Sequence, residues 1–262
     1  MNSINNFSPN IDELNANGYS IIDGLLTQSA LDRFELTMQE LTSELIKRRQ
    51  IKALSDDPMI DLLNVGGEYR EILFLQLKYL QVVQSISAEI GDKLHQAHFY
   101  DEMAMRVPLV WPTLRADPPN EETYLLPMHQ DYGSIRSHRA FRMWIPLRDV
   151  SEEYGSMKVV VGSHKLGIAH HDLSNPYHPV VDESVYEGLS IHTLDLPAGS
   201  GVIFNPLTLH ASIPNRSNRM KYILLIQIQD HSAMVDPDDA DDEMAALIRT
   251  AQTREAARKN VR

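Results

Sequence analysis

His129 and Asp131, two residues apart, lie well upstream of a second histidine set in Leu209-His210-Ala211-Ser212. On a β-strand, side chains alternate with period two, so His129 and Asp131 would share one face. A histidine from a distant strand would complete two imidazoles and one carboxylate on one side of a metal ion. That set leaves the remaining coordination positions open, the arrangement that suits non-haem Fe(II) in oxygenases. A structural zinc site would close all four positions, usually with thiolates, and this chain has no cysteine. The His-x-Asp spacing alone is common; its weight comes from the elements around it.

Those elements begin with a short strand expected at Gly18–Gly24, between two glycines. Thr27 is placed to cap a helix carrying Leu31, Phe34, Met38, Leu41 and Leu45 at helical spacing, running to about Arg49. A second long helix is expected from about Tyr69 to Leu94, with Ile72, Leu73, Leu75, Leu77, Leu80, Val83 and Ile86 as its apolar stripe. From about His95 the chain changes to short apolar runs broken by proline and glycine, the texture of an all-β sandwich or barrel. Residues 166–190 are poor in strand formers and rich in His, Asp, Asn and Pro, which predicts a long, lid-like surface loop. Asp236 to Glu243 is an acidic cluster read as a solvated loop and helix start, and Asp241 to Arg258 reads as helical. The organisation expected is one domain over 1–262. Residues 1–94 form a helical buttress, 95–232 the β core with its insertion at 166–190, and 233–262 an acidic loop and helix.

The bulk numbers bound the partners. At 262 residues, 43% hydrophobic and 23% charged, the chain can bury a full core. A net charge of −12 argues against nucleic acid, whose phosphates it would repel. The lack of cysteine fits a reducing compartment. The N-terminus lacks a secretion signal, and no apolar run is long enough to span a membrane. A cytoplasmic location and a small-molecule substrate are the expectations; the oligomeric state is not legible.

From Met128 to Asp230 the chain resembles the phytanoyl-CoA dioxygenase family of Fe(II)/2-oxoglutarate oxygenases. The matching pieces run in order: MHQD at 128–131, WIPLRD at 144–149, YGSMKVVVGSHK at 154–165, LPAGSGVIF at 196–204 and HASIPNRS at 210–217. The segment GYSIIDGLL at 18–26 is similar to the family's usual opening. The resemblance implies a mostly β fold, a double-stranded β-helix (jelly-roll) with buttressing N-terminal helices and a C-terminal helix. It implies Fe(II), 2-oxoglutarate and O2 as the cofactor, co-substrate and oxidant. His129, Asp131 and His210 match the iron triad and are the catalytic residues it implies.

The family places an arginine eleven residues after the distal histidine to bind the far carboxylate of 2-oxoglutarate. Here that position is Lys221, a departure. Lysine supplies a point charge where arginine supplies a fork; Arg219, two residues earlier, would share its face on a strand and is the substitute. Gln130, Trp144 and Ser212 match positions that line the co-substrate pocket. Arg142 should face inward with Trp144, toward an anionic group of substrate or co-substrate or toward a local carboxylate. Tyr132, Arg136 and Arg115 are looser candidates for the rim. His164 is read as structural, and His170, His171 and His178 as surface residues of the lid.

Related halogenases carry a small residue at the carboxylate position, leaving room for chloride; Asp131 removes that room. The activity implied is hydroxylation of an unactivated C–H bond of a small polar metabolite, with release of succinate and CO2. The alternatives are desaturation, epimerisation or cyclisation by the same iron chemistry, or a jelly-roll that binds without turnover.

Overall fold

The computed structural model describes residues 9–66, 73–122, 125–131, 135–172, 180–236, 238–239, 242 and 245. Helix α1 (Ile11–Asn17) and strand β1 (Tyr19–Ile22) lead into helices α2 (Gln28–Arg49), α3 (Pro58–Leu63), α4 (Gln81–Gln96) and α5 (Phe99–Glu102). Strands β2 (Pro108–Asp117), β3 (Ala140–Pro146), β4 (Met157–Val160), β5 (His171–Asp172) and β6 (Val180–Val181) come next. They are followed by β7 (Ile191–Leu194), β8 (Gly201–Phe204), β9 (His210–Ser212) and β10 (Lys221–Asp230). One antiparallel sheet has the order β1-β8-β3-β10-β2, a second β7-β4-β9, and β5 pairs with β6.

Alternation along β10 divides the interior in two. Tyr222, Leu224, Ile226 and Ile228 pack in one cluster with Phe34 and Met38 of α2 and Val83, Ile86 and Ile90 of α4. Phe34 and Tyr222 meet edge to face at 5.3 Å between ring centroids, a geometry that adds to area burial. The helices thus cover one face of the larger sheet. Ile223 turns the other way and packs with Trp144, Val202 and Phe204 of the same sheet and Met157, Val159 and Leu194 of the smaller one. Two antiparallel sheets closed over a shared core make the jelly-roll that the short strands and turns imply.

Helix α2 has the expected limits: the Thr27 hydroxyl accepts from the Ala30 N–H, and Gln50 ends it in the left-handed region. The second long helix is not continuous. Residues 73–77 are helical, the chain turns at 78–80, and α4 restarts at Gln81. An apolar stripe reads alike across one helix or two consecutive ones, and residues 67–72 lie outside the described set. The 166–190 loop carries the β5–β6 hairpin and a 3-10 turn at Glu183–Val185. His178 falls outside the described residues, as does most of the expected helix at 241–258. No helix among the described residues is long and apolar enough to cross a membrane.

Candidate metal centre

His129 and His210 are joined at the backbone before their side chains meet. Each N–H donates to the other's carbonyl at 3.0 Å, forming an isolated antiparallel bridge between the 129 segment and β9. The Asp131 N–H donates to the Pro206 carbonyl at 2.9 Å, which holds the segment against the loop before β9. The two imidazole rings lie 4.2 Å apart, between centroids, and both histidines are buried. Asp131 Oδ1 is 3.5 Å from His129 Nε2, and its Oδ2 is 3.7 Å from His210 Nε2. One ligand atom from each of the three residues lies within 4.8 Å of the others.

Backbone carbonyls set the ring tautomers. His129 Nδ1 contacts the Pro127 carbonyl at 2.8 Å, and His210 Nδ1 the Thr208 carbonyl at 2.9 Å. A carbonyl can only accept, so each Nδ1 carries the proton and each Nε2 turns a lone pair toward Asp131. Burial and the neighbouring His129 push His210 down to about 4, so it is neutral at pH 7. Burial acts to raise the Asp131 carboxyl, but Arg142 and the two imidazoles outweigh it and hold it well below the usual carboxylate range. His129 Nε2 is buried and makes no hydrogen bond among the described residues. Two imidazole lone pairs and a carboxylate facing one another, with no proton between them, fit a divalent metal ion.

Arg142, buried on β3, places Nε 3.1 Å from Asp131 Oδ2. The local carboxylate it meets is therefore the candidate ligand itself, so Arg142 orients the ligand set. Trp144 lies on the same face of β3, buried among the residues between the two sheets. Ser212 ends β9 and accepts a hydrogen bond from Arg115 Nη1 at 3.4 Å.

Three sequence expectations change. Gln130 lies on the opposite face from its neighbours, as alternation requires. Its amide donates to the Gly167 and Leu207 carbonyls at 2.8 Å each and accepts from the Ala169 N–H at 2.9 Å, tying down the start of the 166–190 loop. Arg219 does not share the face of Lys221, because β10 begins only at Lys221. Its guanidinium stacks 4.5 Å over the Tyr154 ring and donates to the Asp149 carbonyl. Lys221 is inward but already occupied: its Nζ is 3.0 Å from Asp117 Oδ2.

Of the histidines read as lid residues, His170 is exposed, whereas His171 is buried and accepts from the Gln130 N–H at 3.1 Å. His164 is structural, its Nε2 contacting the Asn15 carbonyl at 3.1 Å. Arg136 takes part through its backbone N–H, which donates to Gln229 Oε1. Tyr132 falls outside the described residues. Asp117 was not visible as a site residue from sequence. The one trace of it is its i, i+2 spacing from Arg115 on a strand-like run.

The sequence profile of the family described as phytanoyl-CoA dioxygenase (PhyH) matches residues 14–223. A 1-deoxypentalenic acid 11-beta-hydroxylase of Streptomyces exfoliatus is 32% identical over 107 residues, a match spanning 37% of this chain and 37% of that protein. A probable phytanoyl-CoA dioxygenase of Caenorhabditis elegans is 24% identical over 77% of this chain and 68% of its own length. The crystal structure of EvdO2 from Micromonospora carbonacea var. aurantiaca, complexed with 2-oxoglutarate, superposes with a TM-score of 0.55 at 16% identity. That superposition covers 90% of this chain and 94% of EvdO2, and it shows a shared fold.

Proposed function

The chain belongs to the phytanoyl-CoA dioxygenase family and is a 2-oxoglutarate-dependent oxygenase; we propose from this that it hydroxylates an unactivated C–H bond of a small metabolite. The observation that carries the reading is the convergence of His129, Asp131 and His210, whose ligand atoms lie within 4.8 Å of one another. These three residues would hold Fe(II) and leave further coordination positions open for the co-substrate and dioxygen. When bound there, iron with 2-oxoglutarate supplies C–H oxidation by O2, the co-substrate leaving as succinate and CO2.

The chain's own residues prepare that site. The Pro127 and Thr208 carbonyls keep both Nδ1 protons away from the centre, so neither imidazole needs to lose a proton to bind a metal. Arg142 fixes the Asp131 carboxylate and keeps it ionised. Asp131 fills the position that a halide would need, which favours hydroxylation over halogenation.

On the substrate side, cross-strand pairing puts Gln227 and Trp111 in one row with Arg142. Trp111 and Leu109 are exposed on this site-facing side of β2. A small molecule with an apolar face beside a polar group suits that row better than a wholly polar one. The net charge of −12 disfavours an acyl-CoA, whose nucleotide would need a basic surface.

The test is succinate formation from 2-oxoglutarate with Fe(II) added to metal-stripped protein, followed by a mass-spectrometric substrate screen. His129→Ala, Asp131→Ala and His210→Ala should each abolish iron binding and turnover with the fold retained. Full activity in any of the three after reloading with iron contradicts the assignment. A chlorinated product from the unmodified enzyme contradicts the reading of Asp131.

A further inference from the structure

The departure at Lys221 has a structural counterpart on the neighbouring strand. Lys221 is 5% exposed and its ammonium has three N–H donors. One faces Asp117 Oδ2 at 3.0 Å, and the others donate to the Gly155 and Ile213 carbonyls at 3.1 and 3.5 Å. The packing there is tight: a Cβ added at Gly155 would stand 2.9 Å from Lys221 Nζ. All three donors are committed, so Lys221 has none left for a ligand.

Arg115 is placed differently. Its Nη2 lies 3.2 Å from each Asp117 oxygen, and its Nη1 donates to Ser212 Oγ at 3.4 Å. The guanidinium has five N–H donors, so at least one beyond these contacts is available, and it meets no other partner among the described residues. Arg115 pairs with Ile223 of β10, which pairs onward with Pro146 of β3. It therefore points to the same face as Trp144 and Arg142, two and four residues along. Four residues of strand are about 13 Å, a gap that a five-carbon diacid and an extended arginine side chain can span between them.

Charge gives the second argument. Arg115, Lys221 and Asp117 together are two cations and one carboxylate, one positive charge in excess in a mostly buried cluster. Burial depresses the Lys221 ammonium; Asp117 works against that and Arg115 adds to it. An uncompensated buried charge is costly, and one incoming carboxylate would cancel it.

We propose that Arg115, with Ser212, grips the distal carboxylate of 2-oxoglutarate, and that Lys221 has become a positioning residue which neutralises Asp117 so that Asp117 can hold the guanidinium. The inference rests on the proposed function above. It transfers the anchoring cation from β10 to β2 and makes Asp117 part of the co-substrate site.

The test is anaerobic calorimetry on Fe(II)-loaded protein with two probes, 2-oxoglutarate and 2-oxopentanoate, which has the same chain without the distal carboxylate. Wild type should prefer 2-oxoglutarate, and Arg115→Met should lose that preference by about 30-fold or more. Arg115→Lys, which keeps the charge and loses the fork, should fall between. Lys221→Met should lower the melting temperature yet keep most of the preference. Cobalt(II) absorption of each variant reports whether the metal site is intact, so misfolded protein is recognised before binding is compared. A preference kept in Arg115→Met and lost in Lys221→Met overturns the proposal. Wild-type protein that takes up iron but not 2-oxoglutarate overturns instead the functional reading beneath it.

Discussion

Arg142→Met tests whether the cation beside Asp131 prepares the metal centre or merely packs there. Methionine preserves reach and apolar volume while removing the charge. At 3.1 Å from Asp131 Oδ2, the pair attracts by about 5 kcal/mol at an effective dielectric of about 20. Asp131 keeps 21% of its side-chain exposure, so water recovers part of the loss. We therefore take about 3 kcal/mol, the low end for breaking a buried pair. For a domain of this size that lowers the melting temperature of metal-free protein by about 6–12 °C.

Two effects then oppose each other on metal loading. Losing the group that orients a ligand weakens metal affinity about 10–100-fold, or ~1.4–2.7 kcal/mol. Removing a positive charge from beside the ligand carboxylate favours a divalent cation by the larger Coulomb term of about 5 kcal/mol. The charge effect wins, so the rise in melting temperature on adding Co(II) should be greater in Arg142→Met than in wild type. Calorimetric melts with and without Co(II) measure both quantities. An unchanged metal-free melting temperature, or a smaller metal-induced rise, refutes the reasoning.

Gln130→Ala removes three hydrogen bonds to the backbone of the 166–190 loop and its neighbour. At about 1 kcal/mol each it should cost about 2–3 kcal/mol in denaturant titrations while still binding one metal ion; metal loss without destabilisation returns Gln130 to the pocket. The buried His210 titrates at about 4 in the folded chain against 6.5 when unfolded. Between those values the unfolded chain binds more protons, so the stability of metal-free protein should rise with pH across that window, by up to about 3 kcal/mol from this residue. His164 and His171, depressed mainly by burial, act in the same direction. Melts at several pH values should give a shallower slope for His210→Asn, and an equal slope removes His210 as the cause.

The triad was legible because His129 and Asp131 are close in sequence and strand alternation puts them on one face. The same rule, applied to the residue between them, sends Gln130 to the other face, so that misplacement was avoidable. Arg219 depended on where β10 begins, and nothing in its residues marks the boundary to within two positions. Helix α2 was readable at both ends because Thr27 is a strong cap and its apolar stripe is regular. The turn at 78–80 was not, since the apolar residues continue through it. The partners of Lys221 and Arg142 were hidden for another reason. Asp117 reaches Lys221 through the register of two strands far apart in sequence, and Asp131 had already been given the metal as its partner.

The most direct measurement is anomalous diffraction at the iron edge from crystals grown anaerobically with Fe(II) and 2-oxoglutarate. A single strong peak bonded to Nε2 of His129, Nε2 of His210 and a carboxylate oxygen of Asp131, with 2-oxoglutarate chelating it, is the result expected. An iron peak elsewhere in a crystal whose protein turns over 2-oxoglutarate, with those three side chains unligated, contradicts the account.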